Sequence, residues 1–301
     1  MSHSPISEED RLAGIVYGSL VADSLALGAH WIYDQEEIRS TFGRITDLLA
    51  PLPGSYHPKK TRGEQTHYGD QAIVLMETLR QHGDFNRALF TAAWTKLWVE
   101  YPDYFDHATK ETLATGTASH SEELGGAARI APLIARMADR PLEDILGAAR
   151  EQTAVTHNSP IALDAAEFIV RIIRAIFEGA TIERAVKIAA VTKYAVLSPS
   201  HYQFQVDETR ELTTGEALER IGLSCPAAKG LPAVLVLLDR YHHDPEAALI
   251  ENVMAGGDSA ARGLVLGMIL GAYHGKGTVE ERWVKDLKSA PRIEAFLATL
   301  G

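Results

Sequence analysis

Glycine recurs at positions 263, 267, 271 and 275, inside the stretch AARGLVLGMILGAYHG. Residues four apart share one face of an α-helix, so this spacing describes a helix with a groove where side chains would stand. Each helical glycine costs about 1 kcal/mol relative to alanine, and only close packing of another backbone into the groove offsets that loss. The stretch therefore predicts a helix at the centre of the fold. A partner is legible as well, because SEEDRLAGIVYGSLVADSLALGAHW carries Gly14, Gly18 and Ala22 at the same spacing. Ser7 stands where an N-cap would, with acidic residues in the turn that follows, and a helix is expected over about 8–29.

The rest of the chain reads in the same way. Helices are expected from about 70 to 81, through FNRALFTAAWTKLWVEY, and through SEELGGAARIAPLIARMA as one element. PLEDILGAAREQT gives a short one, and NSPIALDAAEFIVRIIRAIFEG is bounded by Ser159 with Pro160 at its start and Gly179 past its end. TIERAVKIAAVTKYA, TTGEALERIGL, PAAKGLPAVLVLLDRY and PEAALIENVMAG complete the set, and alternating strand patterns are nearly absent. Residues 50–66 hold three prolines, two glycines and a basic cluster, the composition of a mobile loop. The expectation is a single all-α domain over residues 1–301, built from about a dozen helices.

Composition limits the partners. With 46% hydrophobic residues the chain can bury a large core. A formal charge of −11 opposes a nucleic-acid surface, which needs clustered Lys and Arg. The apolar run GLVLGMILGAY is far shorter than the roughly 20 residues of a membrane span. The opening MSHSPISEEDR lacks the basic and apolar regions of a signal peptide, and a lone cysteine, Cys225, forms no internal disulfide. A cytoplasmic protein with neither nucleic-acid nor membrane partner is expected; nothing in the sequence sets the oligomeric state.

Polar residues stand out against this apolar background. Asp258 opens the glycine-faced helix, where an N-cap or an anion is favoured. Asp70 follows a glycine at another helix mouth, in THYGDQAIVLME. Asp23 sits mid-helix among small residues and needs a donor, a cation or a proton there. His30 lies seven residues further on, two turns along the same face. A polar cleft lined by helix mouths is one reading, and simple capping is the other. Arg129 in GGAARIAP suits a phosphate or a structural ion pair, and Thr156-His157-Asn158 before Ser159 suits a cap or the cleft.

Taken in order, GSLVADSLALGAHW, YGDQAIVLM, GGAARIAPL, THN at 156–158 and AGGDSAARGLVLGMILGAYHG resemble the motifs of the ADP-ribosylglycohydrolase superfamily over nearly the full chain. The wording AHWIYD and GGDSAARG is most similar to the branch containing J1 crystallin and selenoprotein J. The resemblance implies an all-helical hydrolase that removes ADP-ribose from modified side chains through a two-metal magnesium or manganese centre. Its ligand positions fall on Gly69, Asp70 and Gln71 and on Asp258, Ala260 and Ala261, so two of six keep a carboxylate. The family's early acid falls on His30. Asp70 and Asp258 would then hold at most one weak Mg2+, and a binuclear centre is not expected. The resemblance also places Tyr68, Gln71, Arg129, His157, Asn158 and Ser259 at substrate-binding positions. Three functions remain open: an ADP-ribosyl glycosidic-bond hydrolase with a degenerate metal site; a metal-free hydrolase using Asp70, Asp258 and His30; and an inactive, crystallin-like binding or structural protein.

Overall fold

The computed structural model describes residues 6–300, so part of the segment read above as lacking a signal peptide lies outside the described residues. The chain winds through α1 (Glu8–Ala26), a 3-10 turn (Leu27–Ala29), α2 (Gln35–Phe42), α3 (His67–His82), α4 (Arg87–Leu97), α5 (His107–Thr115), α6 (Gly125–Ala128), α7 (Ala131–Arg136), α8 (Leu142–Thr153) and α9 (Pro160–Phe177). It continues through α10 (Ile182–Ala190), α11 (Pro199–Glu208), α12 (Thr214–Ile221), α13 (Ala227–Tyr241), α14 (Pro245–Met254), α15 (Ser259–His274), a second 3-10 turn (Gly275–Thr278), α16 (Glu281–Asp286) and α17 (Ala290–Leu297). Among the described residues β-structure is limited to two isolated bridges, Ser119 with His157 and Glu123 with Pro226. The buried side chains form one contiguous core.

The pairing of α1 with α15 organises that core. A Cβ on Gly267 would overlap the carbonyl of Gly18, and one on Gly271 the carbonyl of Gly14. The obstruction is mutual, since Gly18 meets Gly267 while Gly14 meets Gly271 and Gly275. At the end nearest residue 258 the fit loosens: a Cβ on Gly263 would stand 3.1 Å from both the Ala22 carbonyl oxygen and Asn252 Nδ2. With its following turn, α1 is long and apolar enough to cross a membrane, a property the sequence reading missed by weighing only the run near residue 270. That apolar surface is nonetheless buried within the bundle.

Two sequence expectations change. SEELGGAARIAPLIARMA is not one helix: it divides into α6 and α7 around Arg129, and residues ahead of α6 are drawn out against the segment before α13. There Leu124 N donates to Cys225 O at 2.8 Å and Ala227 N to Glu122 O at 2.8 Å. The loop at 50–66 is tied down rather than loose. Tyr104 N donates to Tyr56 O at 3.2 Å, Lys59 N to Asp103 Oδ1 at 3.1 Å, and Lys288 N to Gly63 O at 2.9 Å.

Asp23 joins α1 to α3. It is fully buried and accepts from Thr66 N at 2.8 Å and Thr66 Oγ1 at 2.5 Å, and Thr66 in turn caps α3. Burial pushes the Asp23 carboxyl up to about 7, against the pull of both Thr66 hydrogen bonds.

Two measurements test these constraints. Gly267→Ala should destabilise the protein by about 3 kcal/mol in urea unfolding, at the upper end of overpacking. Gly147→Ala, on α8 where a Cβ meets nothing within 4 Å, should be neutral or stabilising by up to about 1 kcal/mol. Equal effects would show that the crossing is not tight. For Asp23 the folded pKa lies above the ordinary value of 3.8, so its contribution is present in full in acid and lost as pH rises through about 7. Between pH 4 and 7 the stability of wild type should therefore fall more steeply than that of Asp23→Asn, by up to about 1.4 kcal/mol per pH unit. Parallel curves would assign the pH dependence elsewhere.

Candidate functional site

The chain leaves α1 through the 3-10 turn and delivers His30, 3% exposed, to the interior. Trp31 follows with φ of +66°, the one non-glycine residue in the left-handed region among those described, and an unfavourable place for a bulky side chain. A backbone clasp holds it there: Trp31 N donates to Gly257 O at 3.0 Å and Gly257 N to Ile32 O at 2.7 Å. Gly256 and Gly257, both at positive φ, make the complementary turn.

The clasp seats Asp258 at the mouth of α15. Its side chain accepts from Ala261 N at 3.4 Å, the cap expected from sequence, and from the Tyr68 hydroxyl at 3.5 Å. His30 Nδ1 stands 3.9 Å from Asp258 Oδ1. Burial pushes the Asp258 carboxyl up to about 6, with the Arg262 guanidinium pulling it down. Arg262 is itself buried and spends its donors on Asn252 Oδ1 at 3.1 Å, Asn252 O at 3.1 Å and Gly256 O at 2.7 Å. It braces the loop that carries Asp258.

A second half of the site comes from the 50–66 loop and the start of α3. The loop inserts His57, and the first turn of α3 supplies His67 and Tyr68; all three are buried. One ring nitrogen from each of His30, His57 and His67 falls within 4.8 Å of the others. Burial lowers the pKa of each ring, that of His57 to about 4, so the imidazoles are uncharged at neutral pH. Asp70 turns to other partners: Lys60 Nζ at 2.5 Å and the Tyr101 hydroxyl at 2.6 Å. Among the described residues no hydrogen bond or ion pair joins Asp70 with Asp258, although the sequence grouped them. Asp23, likewise grouped with His30, is taken up by Thr66.

A cavity of about 190 Å3 opens over this region. Trp31, Tyr33, Tyr56 and Tyr104 line it, with ring centroids 4.8 Å apart for Trp31 and Tyr56 and 5.3 Å for Trp31 and Tyr104. Asp106, Glu123 and Cys225 complete the wall. Asp106 Oδ2 approaches His67 Nε2 at 3.4 Å, and Glu123 Oε2 approaches His157 Nε2 at 3.8 Å. The Cys225 thiol is pushed up, by burial first and by the Asp258 charge second, which fits a packed rather than a nucleophilic cysteine.

The expected substrate-binding residues separate into groups. Tyr68 and His157 belong to the buried floor, and the paired glycines of α6 make room for them: a Cβ on Gly125 would strike the Tyr68 ring, and one on Gly126 the His157 ring. Arg129 and Gln71 lie deeper, in a bracing network. Arg129 Nε donates to Gln152 Oε1 at 2.5 Å and Nη2 to Thr156 Oγ1 at 2.8 Å, while Nη1 bonds Gln71 Oε1. Gln71 also accepts from Trp94 Nε1 at 2.8 Å. The Arg129 side chain is fully buried and meets neutral acceptors rather than the phosphate or ion pair considered above. Ser259 is buried with its hydroxyl unpartnered. Asn158 is exposed and lines a different cleft with Arg87 and Glu111.

Several members escaped the sequence reading. His57 and Lys60 lie in the loop taken as mobile, where nothing local marks a buried position. Asp106 caps α5, accepting from Thr109 N at 2.7 Å, and α5 itself was not anticipated. Glu123 precedes the glycine pair in a segment read as helix. Arg262 was the accessible clue, a charged residue in the groove-bearing helix.

The six carried-over metal positions do not form a binuclear oxygen centre. Asp70 is neutralised by an ammonium, Gln71 is used on both sides, and Ala260 and Ala261 are buried methyl groups. No side chain fits at residue 69, because a Cβ there would overlap Asp23 Oδ2.

The family model for ADP-ribosylglycohydrolase matches residues 4–300. Crystallin J1A of Tripedalia cystophora is 21% identical over 97% of both chains. An uncharacterized protein of Archaeoglobus fulgidus is 25% identical over 97% of this chain and 96% of its own. Among solved structures, an ADP-ribosylglycohydrolase-related protein complex aligns with a TM-score of 0.73 at 24% identity over 97% of each chain, a likeness that establishes the fold. With motifs, helical architecture and family model in agreement over nearly its whole length, the chain belongs to the ADP-ribosylglycohydrolase family.

Proposed function

We propose that this protein hydrolyses an N- or O-glycosidic bond in an ADP-ribosyl or related nucleotide-like compound, in the cavity walled by Trp31, Tyr33, Tyr56 and Tyr104. One observation carries the reading: aromatic faces and carboxylates share the same small hollow. Aromatic faces hold flat bases and sugar rings through stacking and apolar contact. Glycosidic cleavage passes through an oxocarbenium-like state and uses a carboxyl group on either side of the bond. Glu123 stands in the wall, half-buried and beside His157, as the carboxylate that activates water or steadies the cation. Asp258 lies behind Tyr33 and Cys225, and its burial favours the protonated form that a leaving group requires. A hollow of this volume holds a ribose-sized ring, with the remainder of a dinucleotide passing outward across Tyr56 and Tyr104.

Asp70 has a positioning role in this scheme. Its pairing with Lys60 and Tyr101 fixes the loop that carries His57. Ala261 N and the Tyr68 hydroxyl orient Asp258, and His30 packs beside it with Nδ1 3.9 Å away.

The test is release of free ADP-ribose from N- and O-linked ADP-ribosyl compounds. Asp258→Asn and Glu123→Gln should each lower kcat at least about 100-fold with unchanged thermal stability. Absence of both turnover and ADP-ribose binding in the wild type would instead favour the structural role suggested by the crystallin relative. Millimolar Mg2+ should leave the thermal midpoint unmoved; a saturable rise that disappears in Asp70→Asn would restore a carboxylate-held ion.

A further inference from the structure

We propose that His30, His57 and His67 bind a single transition-metal ion of the Zn2+ class. The inference stands apart from the hydrolase reading and depends only on these side chains. They come from three places in the chain: the exit of α1, the proline-rich loop and the first turn of α3. All three are at most 3% exposed, and one nitrogen from each lies within 4.8 Å of the other two. Their ring centroids are 5.5 to 6.0 Å apart.

The nitrogens are what demand a ligand. Both ring nitrogens of all three histidines are buried without a hydrogen-bond partner. Buried polar atoms are ordinarily paired, and six orphans in one cluster are costly. Trp31, stacked on His30 with centroids 4.3 Å apart, closes one side of the group with an apolar face and cannot satisfy them. A tetrahedral ion with bonds of about 2.0–2.1 Å sets neighbouring nitrogens roughly 3.3 Å apart, so modest side-chain rotation brings the three rings onto one ion. Imidazole suits zinc and its neighbours, whereas Mg2+ selects oxygen.

Carboxylates stand where such a site uses them. Asp106 Oδ2 is 3.4 Å from His67 Nε2, and Asp258 Oδ1 is 3.9 Å from His30 Nδ1. Acids that accept the outer N–H of a ligating histidine fix its tautomer and raise its basicity. On His30 and His67, the two rings so approached, the opposite nitrogen is left for the ion; among the described residues His57 has no carboxylate beside it. Three protein ligands leave a fourth position for water or a bound molecule.

The test uses the full chain, stripped with a chelator and dialysed, and no substrate, so hydrolase activity has no bearing on the result. Calorimetry with Zn2+ should give one ion per chain, and Co2+ should produce the visible absorption of a four-coordinate, nitrogen-ligated site. His57→Ala should weaken Zn2+ binding at least tenfold and abolish the Co2+ spectrum. His57→Cys, which restores a ligand, should recover binding with a shifted spectrum and so separates ligand loss from misfolding. The double variant His242→Ala/His243→Ala, altered in the turn after α13, should match wild type. Failure of wild type to take up Zn2+, equal affinity in His57→Ala, or loss of binding in the His242/His243 variant would each overturn the proposal.

Discussion

Backbone contact between α1 and α15 is the constraint on which the remaining architecture depends. Glycine on both sides brings the Gly18 and Gly267 backbones closer than any pair of side chains permits. That approach fixes where each helix ends, and both ends matter. Past its last turn α1 delivers His30 and Trp31, and before its first turn α15 receives Asp258. Two hydrogen bonds between Trp31, Ile32 and Gly257 then lock these segments together. The unfavourable φ of Trp31 is tolerated because the crossing and the clasp leave the backbone no alternative.

The site is held from beneath by two buried guanidinium groups. Arg129 spans Gln71, Gln152 and Thr156, so it connects α3, α8 and the turn bearing His157. Arg262 collects Asn252 and the Gly256 carbonyl under Asp258. Neither Arg129 nor its partners forms an ion pair; the charge is met by oriented neutral oxygens, which fix geometry more than they add stability. Such bracing lets a hollow with several ionisable groups persist inside an apolar bundle.

The sequence disclosed the parts of this arrangement that obey a period. Glycines at four-residue spacing named the central pair, and Ser7, Ser159 and Asp258 announced helix starts that the structure places as caps. Short helices such as α2, α5 and α11 gave too few turns for a periodic signal. The site was legible only in part. Asp258, His30 and Tyr68 meet, because each sits next to a recognisable helix end. His57 was invisible: its burial comes from a proline-rich loop folded inward where Lys59 meets Asp103 and Gly63 meets Lys288, both partners distant in sequence, and where Lys60 meets Asp70. Asp70 misled for a related reason, since its helix-mouth position was correctly read while the ammonium that claims it comes from the same loop.

The residue-69 position shows why ligand chemistry at this site was not free to follow the family pattern. Asp23 occupies the space beside Gly69 because it must accept both donors of Thr66, the cap of α3. A carboxylate at 69 would displace Asp23 and uncouple α1 from α3. With no ligand at 69, and Ala260 and Ala261 packed as apolar residues at the start of α15, these positions offer no oxygen donors of the kind that hold hard cations. The same neighbourhood holds three imidazoles that are kept neutral by burial. Histidine nitrogen favours zinc where carboxylate oxygen favours magnesium, so the donor set that these helix ends bring together, rather than the fold, decides which ion such a pocket suits.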